Sequence, residues 1–236
     1  MEKNQVIPIF IGYDKRERAA TNVLIDSLYQ NSNKPISIIP LVTSQLRNLG
    51  IYFREKDPKQ STEFSFTRFL VPYLCNYSGW AIFMDCDMLC RESITELWDQ
   101  RDDNYSLMCV KHEHSPNEKR KFLNEIQSSY PKKNWSSLML LNCNKCKNLS
   151  IEYVNNASGL DLHRFNWLEG DNLIGEISGN WNHLIGVSKE TDLDHKSPLI
   201  HWTVGGPWFR ELRTKSGALA AEWFSARDDA MKLWNE

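Results

Sequence analysis

The stretch Ala81–Cys90, which reads AIFMDCDMLC, places two aspartates directly after an apolar run. A buried strand normally excludes carboxylates, because a desolvated negative charge requires a partner. Residues two apart in an extended strand point to the same face, so Asp85 and Asp87 would repel each other unless a cation lay near them. Carboxylate oxygens suit hard cations such as Mg²⁺ and Mn²⁺. The alternative is that both aspartates cap the following loop, and the D-x-D pattern alone does not decide between the two.

Apolar runs and helical periodicity alternate on both sides of this stretch. The runs Val6–Ile11 and Ile36–Val42 predict two strands that flank a helix over 18–31, an order that favours a parallel pair with a right-handed crossover. Strands are also predicted over Ala81–Met84, Leu107–Val110 and Leu138–Leu141, and helices over 66–75, Ile94–Gln100 and 144–156. This alternation predicts an α/β, Rossmann-like domain, with helices on both faces of a mostly parallel central sheet.

The bulk composition limits the possible functions. The length of 236 residues predicts a single domain over 1–236, and the net charge of -2 argues against a nucleic-acid partner. The N-terminal apolar run is broken by Pro8, and no segment approaches the ~20 apolar residues of a membrane span. We therefore expect a cytoplasmic protein without a transmembrane segment, whose oligomeric state the sequence does not indicate.

Cysteine usage agrees with that expectation. The six cysteines lie in apolar contexts and are predicted to be free thiols: Cys75, Cys86, Cys90, Cys109, Cys143 and Cys146. The C-x-x-C spacing of Cys143 and Cys146 lacks a second pair or a nearby histidine. A strand end followed by a helix start is therefore favoured over a zinc or redox site.

Two segments are predicted to lie outside the central sheet. Residues 111–135 are polar with basic patches, and we interpret them as a surface excursion or lid, although a simple solvated face is equally compatible. Residues 217–236 predict an amphipathic helix with both acidic and basic residues on its polar face. A membrane-surface helix should be mostly basic there, so docking on the body of the protein is favoured.

The helix and strand that precede D-x-D suggest a family. The stretch 62–88 carries Thr67 and Arg68 on a predicted helix, then the strand, then Asp85-Cys86-Asp87. It resembles the retaining GT-A glycosyltransferases of family 8 and the related glucosyltransferases of glycoprotein quality control. The resemblance implies that Arg68 faces a nucleotide-sugar and acts in catalysis, and that Cys86 lies beside the donor. The alternative for Arg68 is a surface salt bridge.

Two later stretches are similar to the same family. Residues 133–148 match a region where a small polar pair opens an apolar strand, which puts Ser137 at the donor, although Ser136-Ser137 stands where the family has Asn-Ser/Ala-Gly. Residues 168–186 match the "Asp-Gln-Asp, helix, Trp-or-Tyr-Asn" region through Glu169-Gly170-Asp171-Asn172 and Trp181-Asn182. The resemblance makes Asp171 the catalytic acidic residue beside the transferred sugar. Its alternative role is to cap a helix over 172–177.

The stretch 198–208, PLIHWTVGGPW, resembles the closing motif of the family. The resemblance makes His201 the third metal ligand with Asp85 and Asp87, and it brings the backbone of Gly205 and Gly206 close to a diphosphate. The lysine of the family motif is missing, so phosphate charge would be met by the metal, by Arg68, or by Arg210 or Lys215.

The first loop also fits the family. There the loop after the first strand cradles the nucleobase and ribose. The matching residues are Ile11, Gly12, Tyr13 and Asp14, and Arg18 could serve phosphate. Tyr13 could stack on a base, and its alternative is an aromatic residue at the edge of the core.

The resemblance implies a metal-dependent glycosyltransferase that uses Mn²⁺ or Mg²⁺. It would move a sugar from a nucleotide-diphosphate donor, UDP by family default, to the hydroxyl of a glycan, lipid-linked or other acceptor, with retention. One alternative is a phosphatase of the haloacid dehalogenase type, which also uses D-x-D after an apolar strand. A second alternative is a catalytically silent GT-A scaffold that binds nucleotide-sugar.

Overall fold

The structure is a computed structural model that describes residues 6–57, 60–112, 132–187, 195–214 and 217–232. Strands and helices are mixed along the chain, although several strands follow one another without an α-helix between them. The strands are β1 (Ile7–Gly12), β2 (Ile36–Leu41), β3 (Trp80–Met84), β4 (Met88–Cys90), β5 (Leu107–Cys109), β6 (Leu138–Asn142), β7 (Ile174–Glu176), β8 (His183–Leu184) and β9 (Leu199–His201). The α-helices are α1 (Arg18–Gln30), α2 (Thr43–Asn48), α3 (Val71–Leu74), α4 (Ile94–Trp98), α5 (Ile151–Asn156), α6 (Gly159–His163) and α7 (Gly217–Ala230).

The larger sheet has six strands in the order β2-β1-β3-β6-β5-β7. Strand β1 pairs in parallel with β2 and β3, and β5 pairs in parallel with β7. Strand β6 runs antiparallel to its neighbours β3 and β5. All strands of this sheet except β6 therefore run in one direction, which confirms the α/β fold with a mostly parallel sheet.

A smaller sheet joins segments that are far apart in the sequence. Its order is β4-β9-β8, with β9 antiparallel to β4 and parallel to β8. The register pairs Met88 with His201, so the end of the D-x-D stretch lies beside the end of β9. This sheet was not predicted from the sequence, since its strands have only 3, 2 and 3 residues.

Two apolar cores support the two sheets. Every residue of β3 and β6 is buried, and all of them except Asn142 belong to the main core. A second core forms where α1, the small sheet and α7 meet, and it contains Val23, Leu89, Ile200, Trp202 and Trp223. The fold thus has a separate packed cluster behind the strands that carry the end of D-x-D and His201.

Three predicted helices differ from the observed structure. The helix expected over 66–75 is a 3-10 helix over Thr67–Leu70 followed by the single turn α3, which contains Pro72 at its start. The helix expected over 144–156 is confirmed only in its second half: a 3-10 helix covers Cys143–Lys145, and α5 begins at Ile151. Ser150 sets that start, because its side chain accepts a hydrogen bond from the Tyr153 N–H.

The helix expected over 172–177 is wrong. A 3-10 helix covers Asp171–Leu173, and β7 follows as a strand that pairs with β5. Gly175 favours this arrangement, because a Cβ there would lie 2.6 Å from the Tyr105 ring. Tertiary packing therefore overrides the local preference for a helix.

The cysteines and the tail complete the fold. All six cysteines are free, as predicted, and burial raises the pKa of Cys146 to about 12, so its thiol stays protonated.

Most of the predicted excursion, 113–131, lies outside the described residues, as do 233–236. Helix α7 buries Leu219 and Trp223. None of the described helices combines the length and apolar character that a bilayer crossing requires.

Candidate active site

Strand directions collect charged side chains at one edge of the large sheet. Asp14 follows the carboxyl end of β1, and Asp85 follows the carboxyl end of β3. Strand β6 runs the other way, so Ser137, which precedes it, lies at the same edge. The Asp85 N–H donates to the Ser137 carbonyl at 2.9 Å. This is the edge at which open α/β sheets bind ligands.

Asp85, Asp87 and His201 converge there. Their candidate ligand atoms all lie within 4.8 Å of one another. The pairing of β4 with β9 explains how residues so distant in sequence meet. The Trp202 N–H donates to the Asp87 carbonyl at 2.9 Å, which continues the β4–β9 ladder past Met88 and His201.

A buried hydrogen-bond chain orients the His201 ring. Its Nδ1 lies 2.9 Å from Asn182 Oδ1, Asn182 Nδ2 donates to Ser137 Oγ at 2.8 Å, and Ser137 Oγ donates to the Asn134 carbonyl at 2.6 Å. This network assigns the proton of neutral His201 to Nδ1 and leaves a lone pair on Nε2. Nε2 faces Asp87 Oδ1 at 3.2 Å. Two lone pairs that face each other fit a cation bound between them. A hydrogen bond such as that of His201 Nδ1 to Asn182 typically orients a metal-ligating histidine.

Arg68 is part of this site and not a surface residue. It is 5% exposed, its Nη1 lies 2.9 Å from Asp85 Oδ1, and Nη1 also donates to the Ser136 carbonyl at 2.7 Å. Its guanidinium lies 5.0 Å from the centre of the Phe83 ring. The alternative of a surface salt bridge is therefore wrong. Arg68 fixes the position of Asp85, while its contact with a donor stays a prediction.

Negative charge accumulates around the two aspartates. Burial and the carboxylates of Asp87 and Asp14 raise the pKa of Glu17 well above its usual range. Burial opposes ionisation of Asp14, but hydrogen bonds from Arg16 and Glu63 prevail and hold its pKa below the usual value. A negative field of this kind attracts a divalent cation. Glu17 was missed in the sequence, because it lies outside any matched motif.

Several residues of the first loop that are predicted to bind the nucleotide-sugar already have partners within the protein. Asp14 accepts hydrogen bonds from Arg16 Nη2 at 2.7 Å and from the Glu63 N–H at 3.1 Å. Gly12 makes room for a side chain, since a Cβ there would lie 2.2 Å from the Phe64 ring. Ile11 and Cys86 are fully buried, Tyr13 is half-buried and Arg18 is exposed at the start of α1. Their contacts with a nucleotide stay predictions.

The glycine pair after β9 forms a tight turn. Gly205 has a φ of +99°, which favours glycine, and its N–H donates to the Trp202 carbonyl at 2.7 Å. A Cβ on Gly206 would lie 2.2 Å from the Trp208 ring. The backbone conformation and the local packing thus explain why glycine occupies both positions. The approach of these two glycines to a diphosphate stays a prediction. Arg210 is exposed nearby, and Lys215 lies outside the described residues.

Asp171 is not in the group of three ligands. It precedes the amino end of β7, whereas Asp85 follows the carboxyl end of β3, and these two strands run in the same direction. Its carboxylate pairs with Lys132 Nζ at 2.5 Å, and its side chain is 74% exposed. The predicted catalytic role of Asp171 is therefore a proposal that requires its own test.

Two histidines near the site, His112 and His163, were not identified from the sequence. Burial, and then the imidazoles of His201 and His183, lower the pKa of His112 to about 4, so its ring is neutral at pH 7. Ser136 Oγ lies 2.8 Å from His163 Nδ1. Only the similarity of Trp181-Asn182 to a family motif could have pointed to Asn182, whereas isolated histidines carry no such indication.

The residues present fit a divalent cation. Two carboxylates and one imidazole form a mixed oxygen and nitrogen donor set that suits Mn²⁺ or Mg²⁺. Among the described residues, these three side chains are the one group of histidine, cysteine, aspartate and glutamate found in such a geometry. The C-x-x-C pair is not part of it, and Cys146 Sγ instead donates to the Asn142 carbonyl at 3.2 Å.

The architecture and this site define the class of protein as one with the fold of GT-A glycosyltransferases. The WbbM bifunctional glycosyltransferase aligns with a TM-score of 0.63 and 14% identity over 96% of this chain and 50% of that chain, so this chain spans half of it. The galactosyltransferase LgtC, solved with donor and acceptor sugar analogs, aligns with a TM-score of 0.61 and 12% identity over 97% of this chain and 98% of that chain.

Sequence similarity identifies the family. The family model "Glycosyl transferase family 8" matches residues 24–211, so the chain belongs to that family. Protein CDI from Arabidopsis thaliana is 48% identical over 205 residues, which are 85% of this chain and 79% of that relative. The predicted resemblance to family 8 is thereby confirmed.

Proposed function

We propose that this chain is a metal-dependent hexosyltransferase. It would move a sugar from a UDP-sugar to the hydroxyl of a glycan, lipid-linked or other acceptor, with retention at the anomeric carbon. The observation that carries the proposal is the convergence of Asp85, Asp87 and His201 at the ligand-binding edge of the sheet. Family membership favours this function over the phosphatase alternative.

The chain's own residues would prepare the site for the donor. Arg68 positions Asp85 on the side of the large sheet, and Asn182 positions His201 on the side of the small sheet. These metal-ligating side chains are therefore held in place before a cation or a donor binds. A divalent cation bound there would supply Lewis-acid stabilisation of the charge on the leaving diphosphate. In the retaining route implied by the family, the bond from the anomeric carbon to the phosphate oxygen breaks, the acceptor oxygen bonds to that carbon on the same face, and the departing diphosphate takes the proton of the acceptor hydroxyl.

A thermal-shift titration with UDP tests the nucleotide-metal site. Wild type, Asp87→Ala and the matched control Asp229→Asn are each measured with UDP, with and without Mn²⁺. Asp229 is exposed on α7, so its variant changes charge but leaves the site intact. At 100 times its dissociation constant, a ligand should stabilise the native state by about 2.7 kcal/mol. We expect this stabilisation only with Mn²⁺ present, and only in wild type and the control.

The finer features have separate tests. NMR of the anomeric proton of the product should show the donor configuration, and an inverted product would refute retention. Asp171→Asn should lower turnover and leave UDP binding with Mn²⁺ unchanged. Binding of UDP without transfer or hydrolysis of any UDP-sugar would instead support a catalytically silent scaffold. The cytoplasmic location stays a prediction that cell fractionation can check.

A further inference from the structure

The small sheet needs external support to hold its shape. Its strands β4, β8 and β9 have only 3, 2 and 3 residues, yet β9 carries His201 and β4 continues directly from Asp87. A sheet this short is marginal unless an apolar face packs against another element. The element that supports it therefore affects the distance between His201 and Asp87.

Helix α7 supplies an aromatic part of that support. Trp223 is 1% exposed, and the centre of its ring lies 5.4 Å from the ring of Trp208. Trp208 in turn contacts Trp202 at 5.9 Å between ring centres. Trp202 directly follows His201, and its N–H is the donor to the Asp87 carbonyl. A continuous aromatic path thus leads from α7 to the backbone beside both ligands.

An ion pair fixes the same helix at the other end of the small sheet. Arg91, the residue after β4, donates through Nε and Nη2 to the Glu222 carboxylate at 2.6 and 2.5 Å. The Arg91 N–H donates to the Pro198 carbonyl at 2.8 Å, directly before β9 begins. A bidentate pair of this type is directional, so Arg91 links the end of β4, the start of β9 and α7 in one fixed arrangement.

We infer that α7 is a positioning element of the candidate metal site, acting through Trp223 and the Arg91–Glu222 pair. The three candidate ligands all lie outside this helix. The helix holds β4 and β9 in register, and that register keeps Asp87 and His201 at a distance suited to one cation. The inference rests on the proposed function of the three ligands as a metal site.

Titration with Mn²⁺ alone, followed by the EPR signal of the free ion, tests this inference. Glu222→Gln keeps the shape of the side chain but removes its charge, and Asp229→Asn makes a matched change on the exposed face of α7. We expect Glu222→Gln to weaken Mn²⁺ binding about three- to tenfold, less than the ~10–100-fold loss typical of removing a direct outer-shell partner. Trp223→Phe should weaken it in the same direction, and Asp229→Asn should leave it unchanged.

The measurement temperature separates positioning from stability. Well below the unfolding midpoint nearly all protein is native, so a purely structural role for Glu222 would lower the midpoint without changing the dissociation constant. An unchanged constant in folded Glu222→Gln would overturn the inference. If wild type binds no Mn²⁺, or if its Mn²⁺ binding does not depend on Asp87, the proposed metal site is refuted. In that case α7 has no set of metal ligands to position.

Discussion

The two sheets of this protein differ in how their strands are related in the sequence. In the large sheet, β1 pairs with the next strand β2, and the crossover between them is the 13-residue helix α1. In the small sheet, β4 pairs with β9 although about half of the chain separates Met88 from His201. The large sheet lies within the main apolar core, which also takes in Met88, Cys90 and Leu199 of the small sheet, whereas Leu89 and Ile200 of the small sheet pack in a second core with residues of α1 and α7.

The candidate site lies where these two sheets meet. Asp85 belongs to the large sheet and is fixed by Arg68, while His201 belongs to the small sheet and is fixed by Asn182. We therefore expect the large sheet to contribute more to stability and the small sheet to set the final geometry of the metal ligands. Substitutions in the two sheets should therefore separate stability from metal binding.

The largest effect is expected where the two sheets share the cation. Asp87→Ala removes the carboxylate between β3 and β4, and we expect turnover to fall about 10³-fold, because a bound cation contributes several kcal/mol to stabilising the leaving charge. Release of UDP from UDP-glucose or UDP-galactose measures this. Asp26→Asn on α1 serves as the control. More than a tenth of wild-type turnover in Asp87→Ala would contradict the shared site.

On the side of the large sheet, Asp14→Asn should lower stability by about 2 kcal/mol, because hydrogen bonds to a charged group are lost. The Asp14 side chain is fully buried and accepts bonds from Arg16 and from the Glu63 N–H. Urea unfolding at pH 7 measures the change.

The same variant carries a pH dependence of defined sign. The pKa of Asp14 is lowered in the folded state, so its stabilisation is present above the unfolded value of 3.8 and is lost as pH falls through the folded value. The stability gap between wild type and Asp14→Asn should be constant above about pH 5 and shrink below pH 3.8. A gap that persists in acid would show that packing, not charge, stabilises the loop.

On the side of the small sheet, Asn182→Ala should weaken Mn²⁺ binding about tenfold, because His201 loses the partner that sets its tautomer and ring orientation. Calorimetric titration with Mn²⁺ measures the constant. Asn182→Asp keeps an acceptor for Nδ1–H and should restore most of the affinity. Equal affinities in wild type and Asn182→Ala would show that the hydrogen bond between Asn182 and His201 does not prepare the ligand.

The smallest effects give the sharpest contrast between the sheets. Ile82→Val in β3 and Ile200→Val in β9 remove one methylene each from fully buried side chains, and both should cost about 1 kcal/mol of stability. Only Ile200, beside His201, should also change the Mn²⁺ dissociation constant, by about twofold. An equal change in both variants would remove the functional distinction between the two sheets.

How well the sequence predicts the structure also differs between the two sheets. The strands β1, β2, β3 and β6 were predicted to within one residue of their observed ends, because each is a mainly apolar run with nearby turn residues. The D-x-D pair was singled out from its two carboxylates after an apolar run, and His201 was added through family resemblance. Strand β7 was predicted as a helix, and its true conformation is set by pairing with β5. The roles of Asn182, Glu17 and Glu222 depend on contacts between distant segments, which local patterns do not encode.

The most direct test is anomalous diffraction at the manganese edge from crystals grown with UDP and Mn²⁺. We expect one strong peak coordinated by Asp85, Asp87 and His201 Nε2, with Asn182 still hydrogen-bonded to His201 Nδ1. A peak away from these three side chains, or no peak in crystals that contain UDP, would contradict the claim that the two sheets meet to form a metal site.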